Sequence, residues 1–502
     1  MGHPSCYVTH CLILSDQRGI IGCCKVLGNS QQTLNSEAIF YRLSDSCAIT
    51  MKMFGTNGIR GVANEYLSCE LALQVGKAIA TVLGPGPIAM AMDTRVSSPM
   101  VRSSVASGLM AMGVDVYDLG MVPTPALQYF VKTNDSVTGG VMITASHNPP
   151  EFNGIKCISA DGTECSHEEE SAIEDAYEME LTGAAWDKVG SLITVPGAGE
   201  AYIDAVVSKV DVDAIRSAGL TVVLDCANGA SVLTSPMLMR RLGVRAITIN
   251  GNPDGFFPGH YSEPTEDNLG DLKRMVVDTG ADLGIAHDGD ADRCVFVTET
   301  GEYVPGDRSL ALIARSLVKA NGGGEVVTTV ATSSVVGDVV EAEGGTMAYT
   351  AVGSPVVARR MIQDKGIFGG EENGGLIFSD HQFCRDGAMA AARMLEAIAK
   401  HGPIQEQVDT LPKYCTVKEA AVCTDDIKPL IVGKMAERHQ DLRLNTVDGL
   451  RIDYDDGWVL LRPSGTEPKF RIYSESKDPE VARARAEQFK VEFAEIVSEL
   501  TS

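Results

Sequence analysis

Three aspartates at alternate positions, Asp288, Asp290 and Asp292, close the apolar run in LGIAHDGDADRC (283–294), and Arg293 follows them directly. Carboxylates this close raise one another's pKa unless a cation sits among them. Oxygen-only ligands favour a hard ion such as Mg²⁺ or Ca²⁺. A second stretch, GVMITASHNPPEFNGIK (140–156), places Ser146 in a stiff turn closed by His147, Asn148, Pro149 and Pro150. The two prolines forbid both a central strand and an immediate helix. A hydroxyl held at the tip of a strand is either a displayed nucleophile or an ordinary turn serine. A third, FGGEENGGLIF (368–378), brackets Glu371, Glu372 and Asn373 with glycines, which let backbone approach a ligand closely. Carboxylate and amide groups on such a loop suit a hydroxyl-rich ligand. A fourth, LRPSGTEPKFRIY (461–473), gathers Arg462, Ser464, Gly465, Thr466, Lys469 and Arg471. Cations, hydroxyls and free backbone amides together hold a phosphate.

Two other readings of the aspartate run deserve weighing. In a calcium loop of the EF-hand kind, Glu299 would fall at the twelfth position from Asp288. Arg293 occupies the sixth, where that loop needs glycine, and the flanks read as strands, so this reading is rejected. A metal-dependent phosphatase with Asp288 as nucleophile is the alternative that stays. It is weakened because Asp292 stands where such a motif carries Thr or Val. FGTNGIRG (54–61) and VPGDRSL (304–310) each set an arginine, Arg60 or Arg308, beside glycine in a turn.

The elements that must position these residues show a repeat. Residues 87–120 read as strand, Asp93, Ser-rich turn, amphipathic helix, Met-Gly-Val, strand; residues 220–250 repeat that order around Asp225 and Leu-Gly-Val. A looser third copy spans 325–353. Strands alternating with helices imply parallel sheets covered by helices, and three related α/β domains in series account for the pattern. The last ninety residues differ. GLRIDYDDGWVLLRPSG is a hairpin signal, and a helix follows with Asp478 as N-cap and Pro479 in its first turn. Residues 401–414 read as a linker into this α+β domain.

The totals set the class. A chain of 502 residues exceeds what one core serves, and 44% hydrophobic with 22% charged residues is globular composition. A net charge of −25 argues against nucleic acid or an anionic membrane as partner. The Glu-rich run 164–181 reads as a solvated helix face. The 13 cysteines include no C-x-x-C pair, which points to a reduced compartment, the cytoplasm. Residues 1–50 lack sustained periodicity and are expected to be a poorly ordered extension, or the product of an upstream start codon.

Taken in order, TASHNPP, DGDADR, GEENGG and RPSGTEPKFR resemble the α-D-phosphohexomutase family, in an archaeal-like form. That family includes phosphoglucomutase, phosphomannomutase and phosphoglucosamine mutase, and the resemblance covers about residues 53–500. It implies three related α/β domains with mixed, mostly parallel sheets (51–200, 201–302, 303–408). A C-terminal α+β domain (409–502) completes a heart-shaped molecule around a central cleft. It implies an isomerase that interconverts hexose 1-phosphate and hexose 6-phosphate through a phosphoserine. A hexose 1,6-bisphosphate would be both intermediate and activator. By the same resemblance Ser146 is the phosphoserine, and Asp288, Asp290 and Asp292 bind Mg²⁺ with a phosphate oxygen on Ser146. Glu371 and Asn373 grip sugar hydroxyls; Arg462, Ser464, Gly465, Thr466 and Arg471 hold the idle phosphate. His147 and Lys156 are acid–base candidates, and Arg60 and Arg293 electrostatic helpers. The expected partner is a small phosphosugar and the expected assembly a monomer or homodimer. Asn373, His287 and Ser354 depart from common family residues, and all three are expected near the sugar or its approach.

Overall fold

The computed structural model describes residues 11–16, 19–24, 53–55, 57–464 and 468–501. It divides into two units, Met1–Met51 and Lys52–Ser502. In the first, strands Cys11–Asp16 and Gly19–Cys24 pair antiparallel, a hairpin that the sequence reading did not place. The rest of the expected extension lies outside the described residues.

The second unit contains four sheets. The first runs in the order Ile59–Val62, Phe152–Ser159, Gly139–Ile143, Ile88–Met92, Val116–Met121, Leu192–Thr194. The second is Arg245–Ile249, Thr221–Asp225, Leu283–His287, Cys294–Thr298, Tyr303–Val304; the third is Thr346–Thr350, Glu325–Thr329, Phe368–Gly370, Leu376–Phe378, Gln382–Arg385. Each has the same heart: a first strand flanked by two parallel neighbours, the later of which continues into an antiparallel strand. The sequence repeat thus becomes a topological one. Its helices end alike too, with Gly113 at φ +86° and Gly243 at +75°, left-handed conformations that favour glycine.

The fourth sheet is antiparallel throughout: Cys415–Val422, Lys469–Ser476, Gly457–Pro463, Leu450–Tyr454, Arg443–Asn445. The helix Pro479–Thr501 packs on it through Ala482, Ala486, Phe489, Phe493 and Ile496. Asp478 caps that helix, accepting from the Glu480 amide.

Two expectations are corrected. Residues 401–414 are not a bare linker: Ile404–Asp409 forms a helix, and Ile404, Val408 and Leu411 join the large core cluster. The apolar residues at i, i+4 and i+7 pull that segment onto its neighbours. The run 164–181 is solvated only in part. His167–Tyr177 is a helix with a Ser166–Glu169 capping box, but Glu164 just before it is buried.

Among the helices of the first sheet, Cys69–Leu83 and Ser98–Ala111 cross at Gly76 and Gly108. A Cβ on Gly108 would lie 2.2 Å from the Leu73 carbonyl oxygen. Only glycine permits that approach. No helix among the described residues is long and apolar enough to cross a membrane.

Candidate active site

The chemically loaded segments occupy one equivalent place in the fold. Ser146 lies between Gly139–Ile143 and Phe152–Ser159, the aspartates between Leu283–His287 and Cys294–Thr298, and Glu371–Asn373 between Phe368–Gly370 and Leu376–Phe378. In all three sheets this is where a parallel strand turns into its antiparallel neighbour. Ligands of open α/β sheets gather at the carboxyl ends of strands.

Ser146 is fully buried and left-handed, at φ +52°. A non-glycine residue in that region is strained and needs its surroundings to hold it. Its amide donates to Thr144 Oγ1 at 2.8 Å, and Thr144 Oγ1 donates to Asp93 Oδ2 at 2.7 Å. Arg95 grips the same turn. Its Nη2 donates to the carbonyls of Ser146 and Asn148, both at 2.7 Å, and its Nη1 to those of Pro149 and Phe152. Its Nε pairs with Asp93 at 3.0 Å. Asp93 at the strand end was read as part of the repeat, and Arg95 was missed. The strand-end Asp-x-Arg was the signal available for it.

The Ser146 hydroxyl donates to Asp288 Oδ2 at 2.8 Å, across 142 residues of chain. Ligand atoms of Asp288, Asp290 and Asp292 all lie within 4.8 Å of one another, and all three side chains are buried. Burial raises the pKa of Asp288 well above its ordinary value, and Asp292 and Asp290 raise it further. Burial would raise Asp290 as well, but Lys156 at 2.6 Å, the Thr124 hydroxyl at 2.6 Å and Arg385 hold it below its ordinary value. Oδ1 of Asp290 and Oδ1 of Asp292 are buried without a hydrogen-bond partner among the described residues. Buried polar atoms are normally paired, so orphaned oxygens in an all-carboxylate cluster fit a hard divalent cation.

Lys156 is fully buried, 3.1 Å from Asp292. Burial works against its charge, but Asp290 and Asp292 outweigh that and raise its pKa. It is therefore an ammonium in the folded protein that holds its proton tightly and does not act as a base. His147 is the opposite. Burial and the guanidiniums of Arg293, Arg60 and Arg385 push its pKa down to about 2, so its imidazole is neutral. Its Nδ1 lies 3.3 Å from Ser146 Oγ and 3.5 Å from Glu263. Glu263 is itself engaged by Arg293 at 2.5 Å, so its charge is largely answered there. Arg60 donates to Asn148 Oδ1 at 2.9 Å.

A cleft of about 780 Å³ is lined by Arg60, His147, Arg293, Glu371, Asn373, Arg385 and Arg471, among others. Glu371 is buried; its Oε1 accepts from the Gly353 amide at 3.1 Å, and burial raises its pKa. Asn373 Oδ1 accepts from the Gly375 amide at 3.0 Å, folding the loop back on itself. Arg462 points its Nε to Asp448 at 2.6 Å, and Ser464 is buried beside Lys428, which donates to its carbonyl. Gly465 and Thr466 lie outside the described residues. Arg308 pairs with Glu302 at 3.5 Å and does not line the cleft. A separate hollow of about 360 Å³, bordered by Arg315, Lys319 and His401, contains none of the motif residues.

One expected placement is overturned. His287 is wholly buried under the aspartate loop, between Ser235 Oγ and the Arg293 carbonyl, each at 3.0 Å, and lines no part of the cleft. The last residue of a central strand points into packing, which sequence adjacency to a ligand loop does not reveal. Ser354 does line the cleft, donating to Glu164 at 3.0 Å. Arg385, Glu164, Glu263 and Thr124 were not singled out from the sequence. Each is a single polar residue outside any glycine-rich motif.

Fold and geometry together describe a phosphoryl-transfer site assembled by three copies of one α/β topology and an antiparallel fourth sheet. Family models of the four phosphoglucomutase/phosphomannomutase domains match in order: α/β/α domain I over residues 51–183, II over 200–301, III over 305–414 and the C-terminal domain over 416–492. The chain belongs to the phosphoglucomutase/phosphomannomutase family. It is 44% identical over 451 residues to a protein of Methanopyrus kandleri named as a probable phosphoglucosamine mutase, covering 89% of this chain and 98% of that one. It is 43% identical over 445 residues to a phosphoglucomutase/phosphomannomutase of Thermococcus kodakarensis, covering 86% and 96%. Among solved structures, a phosphoglucomutase/phosphomannomutase family protein of Burkholderia thailandensis superposes with a TM-score of 0.79 at 26% identity, covering 88% of this chain and 97% of that one. These relatives do not favour the phosphatase alternative.

Proposed function

We propose that this chain interconverts hexose 1-phosphates and hexose 6-phosphates, of glucose, mannose or glucosamine, with Ser146 as the carrier of the phosphoryl group. The observation that carries this reading is the Ser146 hydroxyl, held 2.8 Å from Asp288 within the three-aspartate cluster. Phosphoserine 146 gives its phosphoryl group to the free hydroxyl of the bound hexose monophosphate, producing a 1,6-bisphosphate. That intermediate turns end for end and returns its other phosphate to Ser146. Asp288, Asp290 and Asp292 hold Mg²⁺, which supplies neutralisation of charge on the phosphoryl group. His147, 3.3 Å from Ser146 Oγ, is the acid–base candidate by position, although a pKa pushed down to about 2 makes it a weak base, and the Lys156 ammonium keeps the carboxylates in place. Arg60 and Arg293 add positive charge around the reacting group. Glu371 and Asn373 grip sugar hydroxyls, while Arg462, Ser464, Gly465, Thr466 and Arg471 hold the phosphate that is not reacting. Both orientations must bind, so a grip indifferent to flipping and one general phosphate site are required. The domain limits proposed from the sequence, a cytoplasmic setting and a monomeric or homodimeric state belong to the same reading. The eight cysteines from Cys69 to Cys423 are all free, which supports a reducing compartment.

The test is a phosphorus NMR time course with Mg²⁺ and catalytic glucose 1,6-bisphosphate. Parallel samples hold the 1-phosphates of α-glucose, α-mannose and α-glucosamine. A 6-phosphate appearing without free phosphate is expected, and the relative rates rank the sugars. Free phosphate growing in its place would restore Asp288 as the nucleophile of a phosphatase.

A further inference from the structure

Arg385 ends the strand Gln382–Arg385, and the next residue, Asp386, caps the helix Gly387–His401 through the Met389 amide. It is 6% exposed and lines the cleft. Its Nη2 donates to Asp292 at 2.6 Å. Its other carboxylate neighbours are out of hydrogen-bond range: Glu371 lies 3.6 Å from Nη1 and Glu164 3.9 Å from Nη2. Its Nε is buried with no acceptor among the described residues.

Were Arg385 only a counter-ion for these carboxylates, a buried five-donor fork would be expected to use its donors on them, since buried donors are paired as a rule. Instead one strong pair orients the guanidinium, its contacts with Glu371 and Glu164 are long, and the residue lines the cleft with Nε unused by the described residues. Gly375 makes the room. A Cβ there would lie 2.3 Å from Arg385 Cδ and 3.0 Å from its Cγ. The sugar-loop backbone therefore runs directly along this side chain, and Asp292 belongs to the metal loop. Arg385 touches both.

We propose that Arg385 is a further catalytic residue, whose guanidinium contacts the phosphoryl oxygens in transit between Ser146 and the sugar. The inference rests on the mutase reading. In the step concerned, the bond from phosphorus to Ser146 Oγ breaks and a bond from phosphorus to the sugar hydroxyl oxygen forms. The hydroxyl proton ends on Oγ, leaving a serine hydroxyl and a sugar phosphate monoester. Negative charge on the three non-bridging oxygens is what a planar, preoriented guanidinium stabilises. A lysine, a point charge on a flexible stem, does not reproduce the fork.

The experiment compares wild type, R385Q, R385K and G375A in the NMR assay and in steady-state kinetics with α-glucose 1-phosphate, with thermal unfolding measured alongside. Removing one such preorganised donor set is expected to lower kcat by about 10²–10³-fold. KM should move far less and R385K should rescue little, while the melting temperature should fall for R385Q, which leaves buried Asp292 without its partner, and less for R385K, which keeps the charge. G375A keeps the arginine but displaces it, and its kcat should fall at least about tenfold. It carries the test if R385Q fails to fold. A kcat within threefold of wild type for R385K or for G375A would overturn the inference, as would a defect confined to KM. A wild-type enzyme inactive on all three sugars would overturn the mutase reading and this inference with it. An active wild type with equally active variants would overturn the inference alone.

Discussion

Both backbone polar atoms of Ser146 are held by side chains: the amide by Thr144, the carbonyl by Arg95 and, at 3.4 Å, by the Ser262 hydroxyl. The left-handed serine is thus kept in place by backbone contacts, and its hydroxyl is left for Asp288. Ser146→Ala removes the hydroxyl and leaves that scaffold intact. We expect 6-phosphate formation to fall by at least about 10³-fold, as for loss of other enzyme nucleophiles. Mg²⁺ affinity by titration calorimetry should stay close to that of wild type, because all three aspartates remain. Normal turnover by this variant without added bisphosphate would exclude the phosphoserine mechanism.

At the scale of elements, the segment from Asn250 to Glu263 brings Ser262 and Glu263 against the serine turn, and His260 ties it to the second sheet. Its Nε2 lies 3.2 Å from Asp225 and its Nδ1 2.6 Å from the Tyr261 carbonyl, so both nitrogens face acceptors. Burial alone would lower its pKa, but Asp225 and that carbonyl outweigh it, and the folded-state pKa is raised. The imidazolium binds its proton more tightly in the folded state. Its stabilisation is therefore fully present below the unfolded value of about 6.5 and is lost as pH rises through the higher folded value. His260→Gln should cost about 1 kcal/mol near pH 5.5. The gap in melting temperature from wild type should narrow by pH 9, and a gap that widens with pH would reverse the assignment. The Gly108 crossing gives a second prediction. Gly108→Ala forces Cys69–Leu83 and Ser98–Ala111 apart, at a cost of about 1–3 kcal/mol by overpacking. Neither helix lines the cleft, so the melting temperature should fall while kcat stays within about twofold.

At the scale of the molecule, every described site residue belongs to the unit Lys52–Ser502, and its interior contacts join the successive sheets. Thr124 bonds Asp290, Ser354 bonds Glu164, and Arg451 donates to the Val330 carbonyl at 2.7 Å. The Ser334 amide donates to buried Glu475 at 2.9 Å, joining the third sheet to the fourth. A chain begun at Met51 should accordingly keep kcat and melting temperature close to those of the full chain. Loss of more than half the activity on that deletion would assign residues 1–50 a part in the site.

The four loops were legible because each carries its chemistry within a few consecutive residues. Repulsion among Asp288, Asp290 and Asp292 follows from spacing alone, and so do the turn at Ser146 and the glycine brackets around Glu371 and Asn373. The repeat was legible for a similar reason, since strand, helix and strand each leave a periodic hydrophobic trace over about ten residues. Where separate segments meet was not legible. Arg385 reaches Asp292 across 93 residues and Arg95 reaches Ser146 across 51, and no spacing along the chain reveals either contact. The burial of Glu164 and His287 depends on what packs over them. Periodicity and spacing describe neighbours along the chain, whereas desolvation and charge pairing depend on distance through space. So the sequence determined which groups could do chemistry, and only the tertiary structure decided that His147 is neutral, that Lys156 is charged, and which arginines face the cleft.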